Sequence, residues 1–276
     1  QERFAGGVLA IANHIASFAE RVEVLTFVGA EDSEEKFIRN SLASNVTPTL
    51  LTKQGTPTIV KKRIIDKYFF TKLLEIYQMD DRQLNIDETR ELCDYLRENV
   101  RQYDVVIVAD YGHGMFNEPA MDVLKEHSKF IALNVQSNAA SRGYQTVTRY
   151  PRANYVAIDT NEVLLEARDR NRDIRETMID ISSGFGDVPV VVTRGKDGCL
   201  CLDPNNGFFS VPAVANDVVD RVGAGDAFLA VTALCMSLDC PIELVGMLGN
   251  AVGAQSVSTV GNRSAVDRVA LMKQME

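Results

Sequence analysis

The sequence has no Cys-x-x-Cys spacing, no low-complexity linker or internal repeat, no basic excess and no uninterrupted apolar run of membrane length. Each absence excludes something. The five cysteines, Cys93, Cys199, Cys201, Cys235 and Cys240, are an odd number without metal-ligand spacing, so reduced structural thiols in a cytoplasmic protein are expected. A net charge of −9 argues against a nucleic-acid backbone as partner, while leaving room for a local basic site that takes a phosphorylated small molecule. The most apolar stretches, those after Asp226 and Pro241, are interrupted by Asp239 and Glu243, short of the roughly 20 residues that a membrane span needs. They read as buried helices of an α/β core, with no membrane partner. With no linker, the 276 residues are read as one main domain, and 46% apolar against 24% charged residues is ordinary for a globular chain.

What is present centres on Asp220-Arg221-Val222-Gly223-Ala224-Gly225-Asp226-Ala227-Phe228, followed by an uncharged run of helical character at 229–238. Gly223 and Gly225 let the backbone turn tightly and leave no side chain between the amides and a ligand. The first amides of the helix have no carbonyl partner within it, and with the dipole they make an anion site. Asp226, placed there, is expected to be held ionised by the dipole and so to be a weak proton acceptor. Phosphoryl transfer tolerates that, because its transition state is loose and orientation matters more than basicity. The functional reading makes Asp226 base and orienter of a hydroxyl, with the amides of Gly223, Ala224 and Gly225 on the transferring phosphate. The plainer reading, a strand-to-helix turn with Asp226 as a first-turn charge that suits the dipole, stands beside it on these residues alone.

Elsewhere the chain alternates strands and helices. Helices are expected at 7–20, 31–44, 87–102, 117–128, 241–260 and up to about residue 275, and strands at 22–29, 104–110, 129–135, 154–158, 188–193, 199–203 and 207–213. Two extended runs, 56–65 and 68–77, have no helix between them. They break the βα rhythm and read as a small sheet that projects from the body and covers a substrate. Lys61, Lys62 and Arg63 alternate across it, so one face carries Lys61 and Arg63; contact with a substrate phosphate and a charged edge strand are both compatible with that. The nearly continuous apolar run at 104–110 ends in Asp110-Tyr111-Gly112-His113-Gly114, at the end of a strand where open α/β sheets bind ligands. In Thr193-Arg194-Gly195-Lys196-Asp197-Gly198 a buried strand meets turn chemistry.

Taken together, Gly-Ala-Gly-Asp preceded by an Asp three residues upstream resembles the signature of the ribokinase-like carbohydrate kinases, the phosphofructokinase-B group. The Asp110-Tyr111-x-His113-Gly114 segment is similar to the Asp-Tyr-x-Lys-Gly of its heptose-phosphate kinase branch, with His113 in the Lys position. The resemblance implies a ribokinase-like α/β fold: a mostly parallel central sheet flanked by helices on both faces, with a small β-sheet lid at about 48–80. It also implies a strand ahead of residue 1 that this sequence does not include, and that would carry the acidic sugar-binding residue. Carried over residue by residue, it puts Gly6 and Gly7 at the sugar with Asp110, and Asn161, Thr193, Gly195 and Gly198 along ATP. Arg63 is a substrate contact on the lid-face reading above, and Asn250 stands among small residues that permit close approach of an adenine, though helix packing explains them equally well. Glu162 is placed on magnesium-bound water and Asp220 on a monovalent cation, K+. The implied function is ATP- and Mg2+-dependent phosphorylation of a sugar or sugar-phosphate hydroxyl, with a homodimer through the lid within its scope.

The chain departs from the family pattern at Ala10, where Asn is usual, and at Leu164, Arg221 and Val231. Those departures motivate an alternative from another class, a catalytically weak or inactive sugar or nucleotide sensor on the same fold. A nicotinamide-dependent oxidoreductase fits poorly, since Phe228 stands where the dinucleotide fingerprint requires a third Gly and the motif lies late in the chain.

Overall fold

A computed structural model of the chain describes residues 2–66, 72–137, 144–215 and 218–275. In chain order the elements are α1 (Val8–Ile15), β1 (Val22–Gly29), α2 (Glu35–Asn40), β2 (Val46–Lys53), β3 (Val60–Ile65), β4 (Lys72–Gln78) and α3 (Ile86–Asn99). They continue with β5 (Val106–Asp110), α4 (Glu118–His127), β6 (Ile131–Val135), β7 (Tyr155–Asp159), α5 (Thr160–Ala167) and α6 (Ile174–Gly184). The last are β8 (Val190–Thr193), β9 (Cys199–Asp203), β10 (Gly207–Val211), α7 (Ala224–Ser237), α8 (Ile242–Val257) and α9 (Arg268–Met275).

The main sheet runs β10-β9-β8-β7-β6-β5. β5 to β8 are parallel, and β9 and β10 return antiparallel. Parallel strands are covered on both faces, which is why β6 is buried at every residue and Val190, Val191 and Val192 of β8 are fully enclosed. Each such side chain contributes about 1.5–3 kcal/mol by leaving water. One core layer packs α3, α4 and α6 residues such as Leu92, Leu124 and Ile181 against the sheet. The other packs α1, α7 and α8 through Ile11, Phe228 and Val245. Small residues set the α7–α8 distance: a Cβ on Gly249 would fall 2.3 Å from the Phe228 ring. The helices and sheet therefore form the expected ribokinase-like layers.

Two expectations are corrected. The lid was to begin near residue 48, but β2 pairs in parallel with β1, in register from Val22↔Val46 through Gly29↔Lys53, and belongs to the body. Only β3 and β4 form the separate antiparallel sheet, with Lys61 opposite Tyr77 and Arg63 opposite Glu75; the start of the expected second run, at 68–71, lies outside the described residues. The helix expected over 31–44 is confined to Glu35–Asn40, because Glu34 turns left-handed at φ 49° and Ser41 closes the helix by donating to the Phe37 carbonyl.

β1 and β2 do not join the main sheet. Between β1 and β5, whose facing edges lack a neighbouring strand among the described residues, lies a cavity of about 130 Å³ lined by Leu25, Phe27, Gly29, Ile107 and Ala109. The lid leaves and re-enters the body beside it. Gly29 permits the close approach, since a Cβ there would sit 2.1 Å from the Pro57 carbonyl carbon, and its N–H donates to Thr58 Oγ1 at 2.9 Å. On the return, buried Lys53 donates to the carbonyls of Asp80 at 3.0 Å and Arg82 at 2.7 Å. No helix among the described residues is long and apolar enough to cross a membrane.

Candidate active site

Gly223 is the N-cap of α7, at φ 84°, and no side chain caps the helix. The conformation is one glycine takes at no cost, and a Cβ would meet Asn262 Oδ1 at 2.1 Å. The loop is not sealed: Gly225 is exposed, while Gly223, Ala224 and Asp226 are half-buried. Uncapped first-turn amides and an open approach together keep the anion site available.

Asp226 does not behave as the dipole argument expects. Burial raises its pKa, and the opposing influences, hydrogen bonds from Tyr111 and Gln136 and the charges of Lys61 and Arg63, do not fully offset it. The carboxylate is thus a better proton acceptor than an ordinary aspartate. Tyr111 Oη and Gln136 Nε2 both donate to Oδ1, at 3.0 and 3.2 Å. Tyr111 follows β5 and Gln136 follows β6, so the C-terminal ends of adjacent parallel strands aim at the first turn of α7. The Lys61 ammonium lies over the Tyr111 ring at 6.0 Å and over Tyr77 at 5.4 Å, and His113 stacks on Tyr111 at 6.1 Å. Lys61 is lowered by burial first and then by Arg63 beside it.

Gly6 and Gly7 start α1 in this same region. Gly7 is its N-cap at φ 55°, and a Cβ on it would touch the Tyr111 ring at 3.2 Å. Arg63 reaches the site's surroundings but is held at 2.6 Å by Glu75. Burial would raise Glu75, yet bonds from Lys72, Arg63 and Tyr77 together hold it at about 2. Asp110 is buried, with Oδ1 taken by the Gly112 N–H and Oδ2 by Tyr150 Oη, each at 2.9 Å, and Arg149 3.8 Å away. Its carboxylate is committed to the turn after β5.

Of the residues expected along a nucleotide, Thr193, Gly195 and Gly198 lie at the end of β8, Asn161 in the first turn of α5 and Asn250 within α8. Thr193 closes β8, and Gly195 and Gly198 follow at φ 57° and 76° in a tight turn into antiparallel β9. Gly198 is needed for packing, its Cβ position being 2.0 Å from the Val211 carbonyl oxygen, whereas Gly195 faces open space. Thr160 Oγ1 donates to the Thr193 carbonyl at 3.2 Å, tying α5 to that turn. Asn250 Nδ2 donates to the carbonyls of Val211 and Pro212.

The cap of α5 is Asp159: its Oδ1 accepts from the N–H groups of Asn161 and Glu162 at 2.6 and 3.0 Å, and Glu162 Oε2 accepts from the Asp159 N–H at 3.0 Å. Burial, then the hydrogen bond and charge of Asp159, push Glu162 up to about 8. The Asn161 side chain is exposed. Among the described residues no cluster of three or more His, Cys, Asp or Glu is arranged to hold a metal. Asp220 accepts from the N–H groups of Val222 and Gly261 at 3.0 and 2.9 Å and so fastens the loop before α7 to the end of α8.

Sequence reasoning missed Tyr111 and Gln136 as partners of Asp226, and Asp159 beside Glu162. The last was findable as an Asp-x-x-Glu at a strand-to-helix turn.

A family model described as pfkB family carbohydrate kinase matches residues 1–268. Among curated proteins, the bifunctional protein HldE of Shewanella amazonensis is 23% identical over 273 residues, covering 98% of this chain and 55% of its own length. HldE of Histophilus somni is 26% identical over 275 residues, covering 96% and 56%. The chain therefore spans about half the length of the curated relatives it matches. Among solved structures, Escherichia coli phosphofructokinase-2 in complex with potassium superposes with a TM-score of 0.78 at 17% identity, covering 97% of this chain and 85% of that one. Thermotoga maritima ribokinase gives 0.70 at 18%, covering 97% and 84%.

Proposed function

The chain belongs to the pfkB family of carbohydrate kinases, and from that premise we propose that it transfers the terminal phosphate of ATP to a hydroxyl of a sugar or sugar phosphate. The observation that carries this is the open, uncapped start of α7 with Asp226 in its first turn, held by Tyr111 and Gln136, under a lid that brings Lys61 to the Tyr111 ring. The acceptor oxygen forms a bond to the γ-phosphorus as the bond to the bridging oxygen breaks and ADP leaves. The acceptor's proton passes to Asp226. The amides of Gly223, Ala224 and Gly225 hold the transferring group's oxygens, supplying charge stabilisation where it is needed.

Gly6 and Gly7 border the acceptor beside Tyr111, and Lys61 and Arg63 take an acceptor phosphate from the lid, with Asp110 bracing the turn beneath. Thr193, Gly195, Gly198, Asn161 and Asn250 run along the nucleotide. Asp159 and Glu162 are hard oxygen donors that suit hydrated Mg2+, whose chemistry is neutralisation of phosphate charge; Asp220 suits a monovalent cation at the anion loop. The slot between β1 and β5 supports a further strand seated there, ahead of residue 1. The exposed apolar residues of β3 and β4, among them Ile64, Leu74 and Ile76, support a homodimer through the lid.

One of the departures that favoured a sensor loses its weight: Val231 is packed among Ala251, Val252 and Leu271. The test is ADP release from ATP with Mg2+ against a panel of free and phosphorylated sugars, heptose phosphates and fructose 6-phosphate included. Saturable binding of ATP and sugar with no ADP formed would replace the kinase by the sensor.

A further inference from the structure

We propose that Tyr111 is a positioning residue for phosphoryl transfer: with Gln136 it locks Oδ1 of Asp226, so that Oδ2 is presented to the acceptor hydroxyl. The inference rests on Asp226 acting as the base, and extends that reading to two residues outside the family's Gly-Ala-Gly-Asp motif.

The argument begins with geometry. A carboxylate on a first helical turn can rotate about its Cβ–Cγ bond, a soft and roughly two-fold torsion. Two donors on one oxygen stop that rotation. Tyr111 Oη at 3.0 Å and Gln136 Nε2 at 3.2 Å converge on Oδ1 from the ends of β5 and β6, so the plane of the carboxylate is set by the sheet rather than by the helix that carries it. Neither donor has to be spent on the acceptor, and the second oxygen is left for the proton.

Tyr111 is itself fixed from several sides. Its ring edge lies where a Cβ on Gly7 would come within 3.2 Å, its face carries the Lys61 ammonium at 6.0 Å, and His113 stacks on it at 6.1 Å. The start of α1, the lid and the turn after β5 therefore all meet on one ring, and that ring holds the base. A side chain confined in this way can orient a catalytic group to within the few tenths of an ångström that in-line transfer requires. The lid's contribution through Lys61 also links lid position to base position: lifting β3 removes a cation from the Tyr111 ring and from the neighbourhood of Asp226.

The hydroxyl has a second effect that makes the role measurable. Hydrogen bonds to an ionised carboxylate favour the ionised form, and Tyr111 is the foremost of the influences that oppose the rise caused by burial. Removing the hydroxyl while keeping the ring should therefore raise the Asp226 pKa further and loosen its orientation.

Tyr111→Phe preserves the contacts with Gly7, Lys61 and His113, and Gln136→Leu removes the second donor without touching the ring. Each is expected to lower kcat about 10- to 100-fold with KM for the sugar within about threefold, and to move the acid limb of the kcat profile to higher pH. Independently of any acceptor, 13C-carboxyl aspartate NMR, with the Asp226 signal assigned by its loss in Asp226→Asn, should show that carboxyl titrating at higher pH in both variants. An unchanged Asp226 titration in Tyr111→Phe, or a variant whose kcat is intact while KM alone rises, overturns the proposal. Failure of the base reading shows differently: Asp226→Asn itself would then turn over normally.

Discussion

Arg82 meets Glu88 side-on, with Nη1 on Oε2 and Nη2 on Oε1, both at 2.9 Å. The same carboxylate accepts from the backbone of Gln54 at 2.9 Å and of Asn85 at 2.8 Å. Gln54 follows β2, Arg82 lies on the return from the lid, and Asn85 caps α3, so one buried acid gathers both roots of the lid and the next helix. Two parallel bonds to a planar guanidinium fix orientation as well as distance. Glu88→Gln keeps the size but gives up the charge and one acceptor, and a loss of about 1–3 kcal/mol follows, discounted because Arg82 is partly exposed. Urea unfolding measures the loss, and hydrogen exchange should show it concentrated at 53–58 and 80–88.

His14 and Glu88 each contribute stability that is lost as pH falls, in two separable windows. His14 is buried, accepts the Val266 N–H on Nδ1 at 3.1 Å, and is lowered by burial to about 4. Between its ordinary 6.5 and 4 the unfolded chain takes up a proton that the folded chain refuses, so stability falls as pH falls, by about 3 kcal/mol in all. Glu88, held at about 2 first by its bond from Arg82, acts lower: its contribution is complete above 4.5 and drains away as pH falls toward 2. His14→Leu should flatten the upper window in a pH series of urea melts, while costing about 1–3 kcal/mol at neutral pH because the Val266 N–H loses its acceptor. His113, lowered by burial to about 4, acts in the same direction and Glu162, raised to about 8, in the opposite one, so the difference between the two proteins reads His14: wild-type and His14→Leu curves that stay parallel from about pH 6.5 to 4.5 would contradict the assignment.

How far this site could be read from the sequence depended on how local its causes are. The run of valines at 190–192 announces a strand covered on both faces, and it is one. The glycines of 223–225 announce a tight turn into a helix, and the uncapped end is there. The 110–114 turn is marked as a ligand site, but the pairing of Tyr111 and Gln136 with Asp226 is not, because they meet it across 115 and 90 residues and only the sheet order makes them neighbours. β2 was hidden by Pro48, a residue that argues against a strand unless it lies on an edge; here it does, in a two-stranded pair. The sign of the Asp226 shift was missed for the same reason as its partners. A helix dipole can be inferred from a motif, but burial by a lid and two strand ends cannot.

Gly223→Ala tests the anion loop without touching Asp226. The added Cβ would meet strain at φ 84° and stand 2.1 Å from Asn262 Oδ1, so either the turn flattens or Asn262 moves. Strain at the turn displaces the first amides of α7 from the transferring phosphate. The expected result is a fall in kcat of about 100-fold or more, comparable to losing an oxyanion donor, with a modest drop in thermal stability of about 1–2 kcal/mol. Steady-state kinetics with the same acceptor, alongside a melting curve, separates the two. Equal activity in a fully folded variant would mean that those amides do not hold the transferred group.

Glu75 decides how available the lid's cations are. It binds Arg63 at 2.6 Å and Lys72 at 2.9 Å, so a substrate phosphate reaching Arg63 must compete with a carboxylate already in place. Replacing it by Gln leaves the side chain's shape while releasing positive charge on the face that carries Lys61. A phosphorylated acceptor should then bind more tightly, with KM falling about 3- to 10-fold at low salt, and a neutral sugar should show no such gain. Because the lid is exposed, the advantage should shrink as ionic strength rises and the Debye length falls from about 10 Å at 0.1 M toward 3 Å at 1 M. KM measured for one phosphorylated and one free sugar across a salt series therefore reads whether the lid's charge serves the acceptor or merely guards an edge strand. If Glu75→Gln changes neither KM, the second reading holds and the phosphate is bound elsewhere.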